Sequence, residues 1–217
     1  MRGKLIVIES GTDASGKKTQ TKLLYERLIK ENNKVKQITF PDYESESSAL
    51  VKMYLRGEFG KDPDRINPYA ASTFFAVDRY ASYVQKWKKY LDEGYTIISD
   101  RYTTSNMIHQ GSKIADKAER SEYLEWLIEF EYNKIKLPKP DKVMFLDVPV
   151  EISVELKNKR IEQIEGDIHE NSIAHLTKSY RNSLEIAQDY NWEIIECTAD
   201  DKMKPVEEIN DIIYNRL

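Results

Sequence analysis

Residues 4–20 read KLIVIESGTDASGKKTQ. The run KLIVIE (4–9) is rich in branched apolar residues and stops just before a glycine, the pattern of a strand buried on both faces. Gly11 and Gly16 then bracket four residues and Lys17 follows, opening a helical pattern. Strand, G-x-x-x-x-G-K and helix together make a phosphate cradle. The glycines let successive backbone N–H groups turn inward, the helix N-terminus adds partial positive charge, and Lys17 reaches outer phosphates. The expected phosphate-binding residues are Gly11, Thr12, Asp13, Ala14, Ser15, Gly16, Lys17, Lys18 and Thr19. Lys18 stands where such cradles place a hydroxyl that ligates Mg²⁺, which an ammonium cannot do. Thr19 is no simple substitute, because one helical step rotates a side chain by about 100°. Three readings stay open: Lys18 adds charge beside the phosphates while carboxylates and water hold Mg²⁺, Lys18 swings to solvent and the metal is held more weakly, or catalysis is lost.

Outward from this stretch, short apolar runs alternate with helical patterns. Further strands are expected at 34–40, 95–100, 142–148 and 192–197. Helices are expected at 21–32, 44–56, 68–93, 118–134, 150–162, 170–190 and 205–217. This alternation predicts one α/β domain over residues 1–217, with a central, mostly parallel five-stranded sheet flanked by helices. Ligands of such sheets sit beyond the carboxyl ends of the strands, which puts weight on 10–19, 40–43, 100–110 and 147–149. The net charge of −4 argues against a broad nucleic-acid or anionic-membrane surface. Cys197 is the single cysteine, consistent with a reducing compartment and an inert core thiol. The N-terminal apolar run is too short for a signal peptide, and no stretch approaches a membrane span. A cytoplasmic location is expected.

A second site is legible further on. Phe75, Asp78, Arg79 and Ser82 fall on one helical face, while Phe74, Val77, Tyr80, Val84, Trp87 and Leu91 form a separate stripe expected to face the core. An aromatic platform beside a cation suits a nucleobase, although a core phenylalanine with a surface ion pair fits the same spacing. In SDRYTTSNMIHQG (99–111), Asp100 and Arg101 directly follow a buried strand. Asp100 there can position a metal or its waters, and Arg101 can grip a phosphate with both guanidinium nitrogens. The charged stretch 157–171, with Lys157, Lys159 and Arg160, reads equally as a mobile lid or as an exposed loop.

Taken together, RGKLIVIESGTDASGKKTQ, FPDY, YLRGEFG, FFAVDR, SDRYTTSN, FLDV and DIHEN resemble, in order and spacing, the thymidylate kinases, P-loop nucleoside monophosphate kinases. The resemblance runs nearly end to end. It implies a P-loop NTPase fold with a short lid, ATP-dependent phosphorylation of dTMP to dTDP with Mg²⁺, and a homodimer. By the same resemblance Asp13, Lys17, Arg101 and Arg160 are the catalytic set, and Asp13 lies near the acceptor's sugar and phosphate. Phe75 stacks on thymine, Arg79 bonds the base, and Arg101 holds the acceptor phosphate. Phe40, Tyr43, Ser105, Asn106, His109, His169 and Glu170 complete the acceptor pocket, with Asp100, through water, and Asp13 as metal candidates. Ala14 occupies a position where some members carry a catalytic arginine, so the lid's Arg160 takes that role. Three departures stand out: Ser10 is inserted between Glu9 and Gly11, His109 replaces an aromatic residue beside the sugar's 2′ face, and Lys18 replaces the hydroxyl. A basic residue followed by threonine occurs in active members, so the site is remodelled rather than broken. Two rivals remain: a kinase for another deoxynucleotide or deoxynucleoside acceptor, and a silent nucleotide-binding protein.

Overall fold

In the computed structural model, which describes residues 2–159 and 173–217, all five expected strands form. They are β1 (Leu5–Glu9), β2 (Val35–Thr39), β3 (Thr96–Asp100), β4 (Lys142–Asp147) and β5 (Glu193–Glu196). The sheet runs in the order β2-β3-β1-β4-β5, and every neighbouring pair is parallel. Central β1 is buried along its whole length, which explains its unbroken apolar run. Its alternate side chains feed two cores. Ile6 and Ile8 pack with Leu24, Leu28, Ile209 and Ile213, whereas Leu5 and Val7 pack with Trp87, Leu91 and Tyr102. Each such large apolar side chain contributes roughly 1.5–3 kcal/mol on burial.

The helices covering these faces are α1 (Lys17–Lys30), α2 (Ala49–Leu55), α3 (Pro68–Ser82), α4 (Lys88–Asp92), α5 (Thr103–His109), α6 (Lys117–Ile128), α7 (Val150–Lys159), α8 (Ile173–Asp189) and α9 (Val206–Asn215). Two of the long helices expected from periodicity each contain a π-helical segment, Tyr83–Trp87 after α3 and Glu129–Lys134 after α6. Residues 46–48 form a 3₁₀ turn before α2, and a small hairpin, β6 (Thr198–Ala199) with β7 (Lys202–Met203), lies between β5 and α9.

One expectation is corrected. Val77, Tyr80 and Val84 do not face the core; they are 53, 46 and 53% exposed. The buried side of α3 is instead the Asp78, Arg79 and Ser82 face, which turns toward the carboxyl ends of β2 and β3. The stripe separates at the π segment, whose wider turn rotates Trp87 and Leu91 into the core.

Candidate active site

The phosphate loop occupies residues 10–16. Ala14 and Gly16 take positive φ angles of 56° and 88°, and Gly16 begins α1 without any side-chain cap. The first N–H groups of α1 therefore lack an intrahelical or capping partner, which makes this end an anion site. A side chain at Gly11 would start 2.1 Å from Ser183 Oγ, so α8 rests directly on the loop. Ser10 is buried and its hydroxyl bonds the Thr12 backbone at 3.3 Å, closing a local turn. The Thr12 hydroxyl donates to the Val148 carbonyl at 3.2 Å, and Ser153 Oγ donates to the Asp13 carbonyl at 2.6 Å. Lys17 folds back over the loop, giving protons to the Thr12 carbonyl at 2.8 Å and Ser15 Oγ at 3.1 Å. Burial and the nearby Arg101 charge push its pKa down to about 8.

Lys18 is exposed and lines the cavity beyond the loop rather than the loop interior. Its charge reaches Asp100. Thr19 is also exposed. Asp100 is buried, and its Oδ1 has no hydrogen-bond partner. Burial raises its pKa, against the opposing pull of Lys17, Arg101 and Lys18. A buried carboxylate oxygen without a partner costs free energy until a cation or water reaches it. No group of three acidic, histidine or cysteine side chains converges on a metal site among the described residues. The donors fit a Mg²⁺ ion whose coordination is completed by water and phosphate oxygens, the usual habit of that ion.

Between the loops after β2 and β3 lies a cavity of about 510 Å³, lined by Asp13, Lys18, Phe40, Tyr43, Phe75, Arg79, Asp100, Arg101, Ser105, Asn106 and His109 among others. The sequence-predicted acceptor residues within the described chain are thus brought together. At one end Arg101 gives an N–H to Asp13 and lies 3.2 Å from His109 Nε2. Although burial opposes ionisation, Arg101 and Lys17 hold the Asp13 carboxyl well below the usual range, and the Arg101 guanidinium is correspondingly more basic. At the other end Phe75 meets Tyr54 edge-on, centroids 5.8 Å apart. Arg79 is fully buried there and pairs with Glu131 through two bonds, 2.8 and 2.5 Å. Phe40 is buried against Tyr102, and the Phe40–Pro41 peptide is cis.

The thymidylate kinase family model matches residues 8–210. The chain belongs to the thymidylate kinase family. It is 32% identical to a thymidylate kinase of Schizosaccharomyces pombe over 76% of this chain and 71% of that protein. A probable thymidylate kinase of Thermococcus onnurineus is 35% identical over 84% of this chain and 83% of its own length. The solved thymidylate kinase of Candida albicans superposes with a TM-score of 0.72 at 26% identity, covering 99% of this chain and 91% of that one.

Three carboxylates hold this site in shape: Glu131 and Glu9, which sequence reasoning passed over, and Asp78, which it placed on the Arg79 face of the helix without a partner. Glu131, wholly buried, accepts from Arg79, from Thr103 Oγ1 at 2.7 Å and from Asn106 Nδ2 at 3.5 Å. Glu9 accepts from Thr104 Oγ1 at 2.8 Å and Ser105 Oγ at 2.6 Å, so the Ser105 hydroxyl is engaged by β1. Asp78 accepts from the Asp42 backbone at 2.8 Å and Ser47 Oγ at 2.6 Å, pinning the loop after β2. An acidic residue in a helical pattern was the only signal available for Glu131, and it is no different from an exposed one. Arg160, His169 and Glu170 lie outside the described residues. Lys159, the last described residue of α7, pairs with Glu155 at 2.6 Å on the surface.

Proposed function

We propose that the chain transfers the γ-phosphoryl group of ATP to dTMP, with ATP's phosphates in the loop at α1 and dTMP in the adjoining cavity. The observation that carries this is the continuity of the two sites: Asp13 belongs to the phosphate loop and also pairs with Arg101 on the cavity wall. An acceptor phosphate held by Arg101 is therefore presented beside the donor's outer phosphates. Transfer of this kind needs alignment and charge neutralisation more than a base, because a phosphate dianion is already nucleophilic. Lys17 leaves the Thr12 carbonyl for the donor phosphates, and Lys18 adds positive charge from the cavity side. Arg101 binds the acceptor phosphate, Arg79 and Asn106 meet the base, and Phe75 and Tyr43 supply apolar faces for it. Asp100 would hold Mg²⁺ through water, with Asp13 as a second contact. When bound, the ion neutralises developing charge on the phosphates. Lid cations, Arg160 first among them, complete the charge shell.

The chain works as a homodimer in the cytoplasm in this reading. Supporting it, Tyr69, Val77, Tyr80 and Val84 leave an exposed apolar strip on α3 and the turn after it, 36–53% exposed, which suits a second copy of the chain. Neither nucleic acid nor a membrane surface is a partner, in keeping with the net charge of −4. Among the described residues no helix is long and apolar enough to cross a membrane. The test is to follow γ-labelled phosphate: incubation with ATP, Mg²⁺ and dTMP should place the label in dTDP. Label appearing only as free phosphate would reject the reading.

A further inference from the structure

His109 bridges the phosphate end of the cavity and helix α8. Its Nε2 is 3.2 Å from Arg101 Nη1, and its Nδ1 is 3.3 Å from Ser179 Oγ. A guanidinium nitrogen can only donate, so Nε2 is the acceptor. A neutral imidazole with an accepting Nε2 carries its proton on Nδ1, and Ser179 receives it. Burial, reinforced by the Arg101 charge, holds His109 in the neutral form. Of the charged and titratable groups around the ring, Arg101 after β3, His175 on α8 and Lys17 on α1 favour the neutral form, while Asp13 in the phosphate loop pulls the other way and is outweighed.

The same donor direction continues along α8. Ser179 Oγ is 3.5 Å from His175 Nε2, and His175 Nδ1 is 2.9 Å from Asp64 Oδ1. The Asp64 carboxylate accepts, which leaves His175 Nε2 to receive the Ser179 proton. Ser112 gives its own hydroxyl proton to the His109 carbonyl at 3.0 Å, and its oxygen, 3.2 Å from Ser179 Oγ, is a second acceptor for the Ser179 proton beside His175. With either acceptor, the Ser179 oxygen keeps a lone pair for the His109 Nδ1 proton, so the direction from Arg101 through His109 to Ser179 is the same. A second observation concerns the backbone. Arg101 has φ 67°, a left-handed conformation that a non-glycine residue keeps only when its surroundings over-determine it.

We propose that His109 is a positioning residue for phosphoryl transfer. Ser179 fixes its tautomer, its Nε2 fixes one terminal nitrogen of Arg101, and Asp13 fixes the other. The remaining guanidinium protons are then held ready for the acceptor's phosphate. This rests on the assignment of Arg101 to that phosphate, and it gives His109 a task other than contact with the sugar's 2′ face.

Side-chain ¹⁵N NMR of the full unliganded chain reads the tautomer directly. The expected result is His109 protonated on Nδ1 and bare on Nε2; a proton on Nε2 overturns the proposal. Kinetics supply the second arm. In His109→Gln the amide oxygen can accept from Arg101, whereas His109→Phe keeps the ring volume and accepts nothing. The phenylalanine variant should lose kcat/KM for dTMP by on the order of tenfold to a hundredfold through a misplaced Arg101, and the glutamine variant should stay within about threefold. Equal losses in both variants, or a changed preference between deoxyribose and ribose acceptors at an unchanged dTMP rate, also overturn it. The NMR arm needs no turnover. Failure of the kinase reading, seen as no transfer to any acceptor by the unaltered chain, is therefore distinguishable from failure of the tautomer.

Discussion

The two ends of the cavity beside the phosphate loop each carry an arginine, and they treat it oppositely. Arg79 is sealed in: its partner Glu131 is wholly buried, the pair shares two bonds, and Thr103 and Asn106 satisfy more of the carboxylate. Arg101 stays about a quarter open to solvent, paired with a similarly accessible Asp13, and its backbone is strained. The lesson is a division of labour. A closed ion pair fixes the shape of one end, and an open one leaves charge accessible at the other, where an anionic ligand can meet it.

That contrast can be broken most severely at the closed end. Glu131→Ala leaves Arg79 buried without its counter-charge and should cost about 3–5 kcal/mol of stability, read from denaturant unfolding. A loss below about 1 kcal/mol would mean that solvent reaches Arg79. Arg101→Ala tests the open end in the opposite currency. Removing a charged hydrogen-bonding partner of the ligand costs about 2–5 kcal/mol of binding or transition-state stabilisation, so kcat/KM for dTMP should drop at least about thirtyfold. Unfolding should change little. Near-normal kcat/KM in a folded variant would remove Arg101 from the site.

Asp78→Ala sharpens the comparison by loosening only the loop after β2, which carries Phe40 and Tyr43. Loss of its two bonds should raise KM for dTMP by roughly tenfold, with kcat less affected; an unchanged KM would detach this loop from the acceptor. The pH dependence isolates the donor side. Lys17 titrates at about 8 in the folded chain, so it is a cation below that pH and loses its proton above it. kcat/KM for ATP, which reports the free enzyme, should therefore fall as pH rises through about 8. The limb should move upward in kcat, because bound phosphates favour the ammonium; a flat profile from 7 to 9 would contradict the burial argument. Smallest of all, Lys18→Ser should shift the Mg²⁺ titration of activity by a few-fold, since the serine restores a ligating hydroxyl. An identical titration would mean that Lys18 takes no part in the phosphate–metal cluster.

Much of the fold was legible because β1 and its neighbours are continuous branched runs cut off by glycine, aspartate or proline. The phosphate loop, Asp100 and Arg101 were legible for the same reason: they follow directly from where strands end. Glu131 was not, because its partnership with Arg79 spans 52 positions and passes through a π segment that periodicity does not anticipate. Nor was the exposure of Val77, Tyr80 and Val84. An apolar stripe at helical spacing reads alike whether it meets its own sheet or another copy of the chain. His109 illustrates a third gap, for the ring was visible in the sequence but its partners Arg101 and Ser179 come from different elements.

The most direct test of the central claim is the initial rate of ADP formation from ATP and Mg²⁺ with dTMP, dUMP, the ribose form of TMP, or no acceptor. The account predicts strong stimulation by dTMP, weaker stimulation by dUMP, for which one methyl group is worth about tenfold to a few hundredfold, and little without an acceptor. ATP binding with no stimulation by any of the three would contradict it, leaving a nucleotide-binding protein that does not transfer phosphate.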